Sequence, residues 1–179
     1  LSSNQVLDLI DLQDGMPGIQ IQNFGAGDEI SIRGVGSSVF SPDVQMGVQV
    51  LTDGHTHGEP MGLNGGFLDV GTIEVLRGPQ GTFIGQSAAG GAVLINSADP
   101  NFDGVNGFIE STVGNYRRNQ VQGAINLPIS DTLAGRIAYN THTRDSYFQN
   151  LGGQTQNKGN FTNAPGSLDQ RSYRVSFLW

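Results

Sequence analysis

Two histidines separated by one residue, His55 and His57, are the first groups in this chain with a chemistry to offer. They follow Asp53-Gly54 at the end of an apolar stretch over 48–51. A His-x-His pair at a strand end can share a zinc ion, the starting point of a metal-dependent hydrolase. A catalytic zinc needs at least a third protein ligand beside such a pair, with a position left open for water or substrate. The chain has 179 residues, one other histidine (His142) and one lysine (Lys158), both in a later segment of different character. A solvated loop carrying two imidazoles is the better account, and a hydrolase working through His55 and His57 is the remote alternative.

The glycine-punctuated stretch Gly78-Pro79-Gln80-Gly81-Thr82-Phe83-Ile84-Gly85 invites a phosphate-loop reading. It lacks the Gly-Lys-Ser/Thr ending that would place an ammonium on the phosphates. Glycines used for tight turns and close backbone approach explain it better. No Ser/His/Asp set stands out, and with no cysteine in the chain thiol catalysis, disulfides and thiolate metal sites are excluded. Catalysis finds no support, and no cofactor or bound metal is implied. Arg33 and Arg77 are different: they are the only basic residues before Gly104, each follows a strand-like run, and each precedes glycine.

The elements that must position these residues fall into two halves. Up to Asp103 the chain carries 12 acidic residues against those two arginines; from Gly104 onward it carries 4 acidic and 7 basic residues. Such a shift marks a domain boundary near 100–104. A net charge of −7 argues against a nucleic-acid partner, whose phosphates need a basic footprint. No apolar run reaches the roughly 18 residues of a membrane-spanning helix. The chain opens inside a patterned segment, without a signal peptide, and reads as a piece of a longer protein.

In the first half, Ser2, Ser3 or Asn4 caps a short helix with Val6, Leu9 and Ile10 on its apolar face, ended by Met16-Pro17-Gly18. Short strands are expected at 19–22, 29–34, 47–52, 72–76 and 92–96, joined by polar loops. This is the pattern of a compact α+β unit.

The second half changes period. Val121, Ile125, Leu127 and Ile129 share one parity, against Gln120, Gln122, Ala124 and Asn126. The next segment sets Leu133, Ile137 and Tyr139 against Arg136, Asn140, His142 and Arg144. The last sets Tyr173, Val175, Phe177 and Trp179 against Ser172, Arg174 and Ser176, with Leu178 breaking the pattern. Residues 108–113 form a weaker first member. Segments of about 10 residues with one apolar and one fully polar face suit strands crossing a bilayer. The connections are short at 115–119 and 130–132 and long at 149–168. A soluble α+β ligand-binding module with an ordinary solvated sheet is the alternative reading. Four strands cannot close, so the remainder of a barrel is expected beyond Trp179.

Several motifs occur in a telling order: Met16-Pro17-Gly18-Ile19, Ile32-Arg33-Gly34, Asp53-Gly54, Glu74-Val75-Leu76-Arg77-Gly78-Pro79-Gln80-Gly81, then Ala88-Ala89-Gly90-Gly91-Ala92 and Ile95-Asn96. This series resembles the plug domain of TonB-dependent outer-membrane receptors. Residues 102–179 resemble the first four barrel strands, with Leu127-Pro128-Ile129-Ser130-Asp131 similar to the family's first periplasmic turn. The resemblance implies an α+β plug domain over 1–101 followed by antiparallel strands of an incomplete transmembrane β-barrel, 22-stranded in the parent.

It also implies the activity, import of a scarce, bulky nutrient (siderophore-iron, cobalamin or carbohydrate), driven through TonB by rearrangement of a plug inside the barrel. The partners implied are TonB, a small-molecule or metal-chelate ligand, and outer-membrane lipid; the TonB-binding box is not in this piece. Ligand contact is expected at apical plug loops over 23–28, 37–44 and 55–63, with Phe40, His55, His57 and Met61 as candidates. By the same resemblance, Arg33 and Arg77 latch the plug to glutamates on the inner barrel wall.

Overall fold

The computed structural model describes residues 12–23, 28–36, 46–57, 67–84, 88–147 and 166–179. The chain divides into two compact units, Leu1–Ala98 and Asp99–Trp179.

In the first unit a single helical turn, α1 (Leu12–Gly15), precedes an antiparallel pair, β1 (Ile19–Asn23) and β2 (Asp28–Ile32). Gly18, at a φ of 84°, ends the helical path in a conformation that glycine adopts without strain. The expected helix face of Val6, Leu9 and Ile10 lies outside the described residues. Alternation puts Ile19 and Ile21 of β1 and Ile30 and Ile32 of β2 on one buried face.

A four-stranded mixed sheet is built from β3 (Val48–Thr52), β4 (His55–His57), β5 (Val70–Arg77) and β6 (Gly91–Ser97), in the order β4-β3-β6-β5. The β3–β6 pairing is parallel and the others are antiparallel. Val48, Val50, Val93 and Ile95 join Leu12, Met46 and the four isoleucines in one core. The interior is aliphatic, and its burial is the main stabilising term of this unit.

Three details depart from the pattern reading, each for a local reason. The strand expected to run through Gly34 stops at Ile32. Arg33 and Gly34, at φ of 52° and 80°, form a two-residue turn closed by reciprocal Ile32–Val35 backbone hydrogen bonds of 2.9 and 3.0 Å. His55 to His57 form a short strand rather than loop, because Asp53-Gly54 makes the same kind of turn and returns the chain onto β3. One helical turn, α2 (Gly81–Ile84), sits inside the glycine-rich stretch and is closed by Ile84 N–H donating to Gln80 O at 3.0 Å.

The second unit is an antiparallel sheet in the order β10-β9-β8-β7. Its strands are β7 (Asn106–Gly114), β8 (Arg118–Ser130), β9 (Leu133–Arg144) and β10 (Leu168–Leu178), 9, 13, 12 and 11 residues long. Ile109, Val113, Ile125, Ile129, Ile137, Tyr173, Val175 and Phe177 occupy one face and are exposed, Ile109 by 80%. The other face buries Gln120, Asn126, Arg136 and Asn140 among Ala124, Ala134 and Ala138. Apolar groups bare and polar groups buried is the inverse of a soluble sheet.

The weaker first segment is explained by the register. Phe108 pairs with Ala124 on the polar face, leaving Ile109 and Val113 to carry the apolar one. The ends of the sheet differ from a simple short/long alternation. The two-residue turn at Tyr116-Arg117 and the long connection after Arg144 lie at the same end, opposite the turn at 131–132.

Chain entry into this sheet is fixed by one fully buried side chain, Asn126. Its Oδ1 accepts from Asn101 N–H at 2.9 Å; its Nδ2 donates to Asn101 O (3.0 Å), Asn101 Oδ1 (3.1 Å) and Gly104 O (3.0 Å).

Candidate functional site

The β3–β4 hairpin presents His55. Asp53 and Gly54, at φ of 49° and 79°, form its turn, and Thr52 pairs with His55 and Val50 with His57. The turn is anchored across the sheet. Asp53 N–H donates to Ile95 O at 2.9 Å, and the Asp53 carboxylate accepts from Ser97 N–H at 2.7 Å and from the Ser97 hydroxyl at 2.8 Å. His55 is exposed at the start of this short strand. The Asp53 carboxylate is committed to Ser97 and serves the fold rather than a metal. Phe40 and Met61 lie outside the described residues, as does most of the 55–63 loop. Among the described residues no group of three or more His, Asp or Glu side chains is placed to hold a metal ion.

Arg33 and Arg77 are both exposed and neither meets a carboxylate among the described residues. Arg33 N–H donates to Gly18 O at 2.8 Å, which fixes its backbone in the left-handed turn. Arg77 closes β5 opposite Gly91. The two positions are linked: a Cβ on Gly91 would run into the Leu76 carbonyl oxygen and come within 3.1 Å of Ile32 Cδ1. The residues preceding the two arginines therefore converge on one glycine. Beyond Arg77, Gly78 N–H donates to Gly90 O (3.1 Å) and Gln80 N–H to Ala88 O (2.9 Å), so the Gly-Pro-Gln stretch folds back against residues 88–90.

A second cluster was not visible in the sequence pattern. At the end of the four-stranded sheet that carries the long connection, Arg117 pairs with Asp145 at 2.6 Å, and that carboxylate raises the guanidinium above its ordinary pKa. Asp145 N–H donates to Tyr116 O at 2.8 Å. The Tyr116 and Tyr147 rings meet edge-on with centroids 4.7 Å apart, and the Arg144 guanidinium lies 4.1 Å from the Tyr147 ring centroid. Tyr116 and Arg117 adopt φ of 59° and 51° in a turn that opens at Asn115, whose carbonyl accepts from Arg118 N–H at 3.2 Å. A cavity of about 640 Å³ opens there, lined by Arg117, Thr143, Arg144, Asp145, Ser167, Leu168 and Asp169.

The family model for the TonB-dependent receptor plug domain matches residues 1–92, half of the chain. The chain belongs to the TonB-dependent receptors. It is 35% identical over 124 residues to the pesticin receptor of Yersinia pestis, covering 66% of this chain and 17% of that protein. It is 29% identical over 140 residues to the ferrioxamine B receptor of Salmonella typhimurium, covering 75% of this chain and 19% of that protein. Among solved structures, the ferric yersiniabactin uptake receptor of Yersinia pestis superposes with a TM-score of 0.77 at 28% identity, covering 99% of this chain and 27% of that one.

The matched part of the chain thus spans about a sixth to a quarter of the length of such receptors. These relatives fix the fold of a TonB-dependent receptor: plug domain followed by antiparallel strands of an incomplete barrel, located in the bacterial outer membrane. The bare apolar face of β7 to β10 is the lipid-facing wall such a barrel requires.

Proposed function

We propose that the receptor to which this chain belongs imports a ferric siderophore across the outer membrane. Residues 1–101 form its plug domain and 102–179 its first four barrel strands. The observation that carries the reading is the inverted sheet, polar face buried and apolar face bare, directly following a plug of this family. The relatives' names support iron chelates over the cobalamin and carbohydrate classes: ferrioxamine B and ferric yersiniabactin are what those receptors are named for. The role is transport rather than catalysis, driven by TonB through rearrangement of the plug.

Phe40, His55, His57 and Met61 are proposed to meet the ligand at the plug apex. Loops between sheet strands are where a rigid scaffold commonly carries binding groups. His55 stands on a hairpin pinned by Asp53 and Ser97, which gives its backbone a fixed position. The test is uptake of labelled ferric siderophores by iron-starved cells with and without the full-length receptor, and with TonB inactivated. Uptake that requires both supports the reading; uptake independent of the receptor refutes it. Replacing all four apical residues with alanine should weaken ligand affinity, and unchanged affinity would dispose of their role.

A further inference from the structure

On the outward face of β7 to β10, the line where apolar side chains give way to polar ones crosses the strands at a slope. Toward the end that bears the long connection, three consecutive outward rungs run across the four strands. They are Ile109–Gly123–Tyr139–Tyr173, then Ser111–Val121–Thr141–Arg171, then Val113–Asn119–Thr143–Asp169. The last apolar side chain is Val113 on β7, Val121 on β8, Tyr139 on β9 and Tyr173 on β10. Asn119, Thr141 and Arg171 follow on the last three strands. From β7 to β10 the apolar limit therefore drops by two rungs, the four residues from Val113 to Ile109.

We infer that the outer-leaflet boundary of the membrane crosses the wall along this sloping line. Val113 then lies in the hydrocarbon, while its rung partners Thr143 and Asp169 stand among the lipid headgroups together with Asn119, Thr141 and Arg171. Four residues are about 13 Å along a strand, and three strand spacings are about 14 Å. A level line of that slope means strands tilted by about 40°, the tilt at which barrel strands cross a bilayer. Longer connections belong to the outer end of such barrels, which sets the leaflet. This placement goes beyond the import reading and does not depend on the ligand.

The side chains on either side of the line suit their surroundings. Tyr139 and Tyr173 meet with ring centroids 5.2 Å apart on the last rung that is apolar on β9 and β10. Amphipathic rings gather where hydrocarbon meets headgroups. Just beyond Tyr173, Arg171 pairs with Asp169 at 3.3 Å, both side chains more than half exposed. Charges on a lipid face are costly at the midplane and cost little near the interface. A boundary parallel to the rungs fails on both counts. Drawn above Val113, it sinks Asn119 and the Asp169–Arg171 pair into hydrocarbon. Drawn below Arg171, it strands Val121 and the 78% exposed Val113 among headgroups.

The height of the apolar face agrees. On β8 it runs from Val121 to Ile129, about 27 Å along the strand and about 20 Å once tilted. With the reach of the side chains, that matches an apolar band about 25 Å tall.

The test uses the full-length receptor, with any native cysteines replaced by serine, reconstituted in phosphatidylcholine–phosphatidylglycerol vesicles. Val113→Cys, Thr143→Cys and Asp169→Cys are spin-labelled one at a time, and accessibility to oxygen and to a water-soluble nickel chelate is read for each. The oxygen-to-nickel ratio is expected to be several-fold higher at Val113 than at Thr143 or Asp169, although the three share a rung. Equal ratios, or the reverse order, overturn the sloping boundary. Heat-modifiable mobility reports whether each variant assembles; if Asp169→Cys does not, Val113 against Thr143 decides by the same criterion. Val121→Cys and Tyr173→Cys probe the wall below the line. Nickel-accessible labels at both would overturn the lipid-facing reading of the sheet along with the slope.

Discussion

The Leu76 carbonyl oxygen occupies the place that a Cβ on Gly91 would need. Gly91 also has a φ of 137°, a conformation other residues rarely adopt. The β5–β6 register depends on this contact, because Leu76 faces Ala92 and Arg77 faces Gly91. Gly91→Ala must therefore move β5 away from β6 or distort the backbone. The expected cost is at least about 2 kcal/mol of local stability, from strain and overpacking together. Faster amide exchange across 70–77 and 91–97 in the full-length receptor is the measurement, and wild-type exchange rates would contradict it.

Asp53 and Ser97 make a second such link, this time polar. Removing the carboxylate with Asp53→Ala leaves Ser97 N–H and its hydroxyl without their 2.7 and 2.8 Å acceptor. It also puts alanine at a φ of 49° that aspartate tolerates better. A loss of about 1 kcal/mol is expected for this exposed link. Asp53→Asn, which keeps both an acceptor and the turn preference, should lose less than alanine. Exchange at His55 to His57 distinguishes them; equal protection in all three proteins would show that the link does not hold the hairpin.

What could be read beforehand follows physical range. Period-two alternation over 121–129 and 133–139 is a property of each strand alone, so the apolar face of Val121, Ile125, Ile137 and Tyr173 was legible without coordinates. The ordered glycine motifs were equally legible, since each marks a backbone conformation that few residues accept. Turn placement was legible in part: the short connections expected at 115–119 and 130–132 are where β7 meets β8 and β8 meets β9. Arg33 reads as the continuation of Ile30-Ser31-Ile32 until its hydrogen bond to Gly18 turns the chain. One helical turn at 81–84 is too short for any periodicity to announce it.

Asn126 ties the start of the barrel sheet to the segment that enters it. Asn126→Leu preserves volume but removes one acceptor and two donors from a site with no exposure, leaving Asn101 N–H and the carbonyls of Asn101 and Gly104 without that partner. About 1–3 kcal/mol per stranded buried group is the expected range, concentrated at the entry segment. Protease cleavage or rapid exchange should appear over 99–106 in the assembled receptor while β8 and β9 stay protected. Asn126→Asp sets a second acceptor oxygen against the carbonyls of Asn101 and Gly104 in the same unexposed site, so it should open the entry segment at least as much as leucine. An entry segment as protected in Asn126→Leu as in wild type would refute the anchor.

Arg33 and Arg77 carry the last prediction, that they latch the plug to carboxylates of the barrel wall. Their backbones are fixed, Arg33 by the Gly18 carbonyl and Arg77 by pairing with Gly91, while both side chains are exposed and lack a carboxylate among the described residues. A fixed backbone under an uncommitted guanidinium is what a docking cation needs, because little ordering entropy remains to be lost when a partner arrives. A guanidinium fork holding a carboxylate through two hydrogen bonds would set orientation as well as attraction. If the pair is desolvated in the whole receptor, its net stabilisation is small, whereas deleting one member costs about 3–5 kcal/mol by stranding the other. Such a contact governs where the plug sits and how readily it rearranges, more than whether the barrel forms. Replacing both arginines with alanine in the full-length receptor should leave heat-modifiable barrel assembly intact, accelerate amide exchange in the plug and impair TonB-dependent uptake. Normal uptake together with unchanged plug exchange in that double variant would rule the latch out.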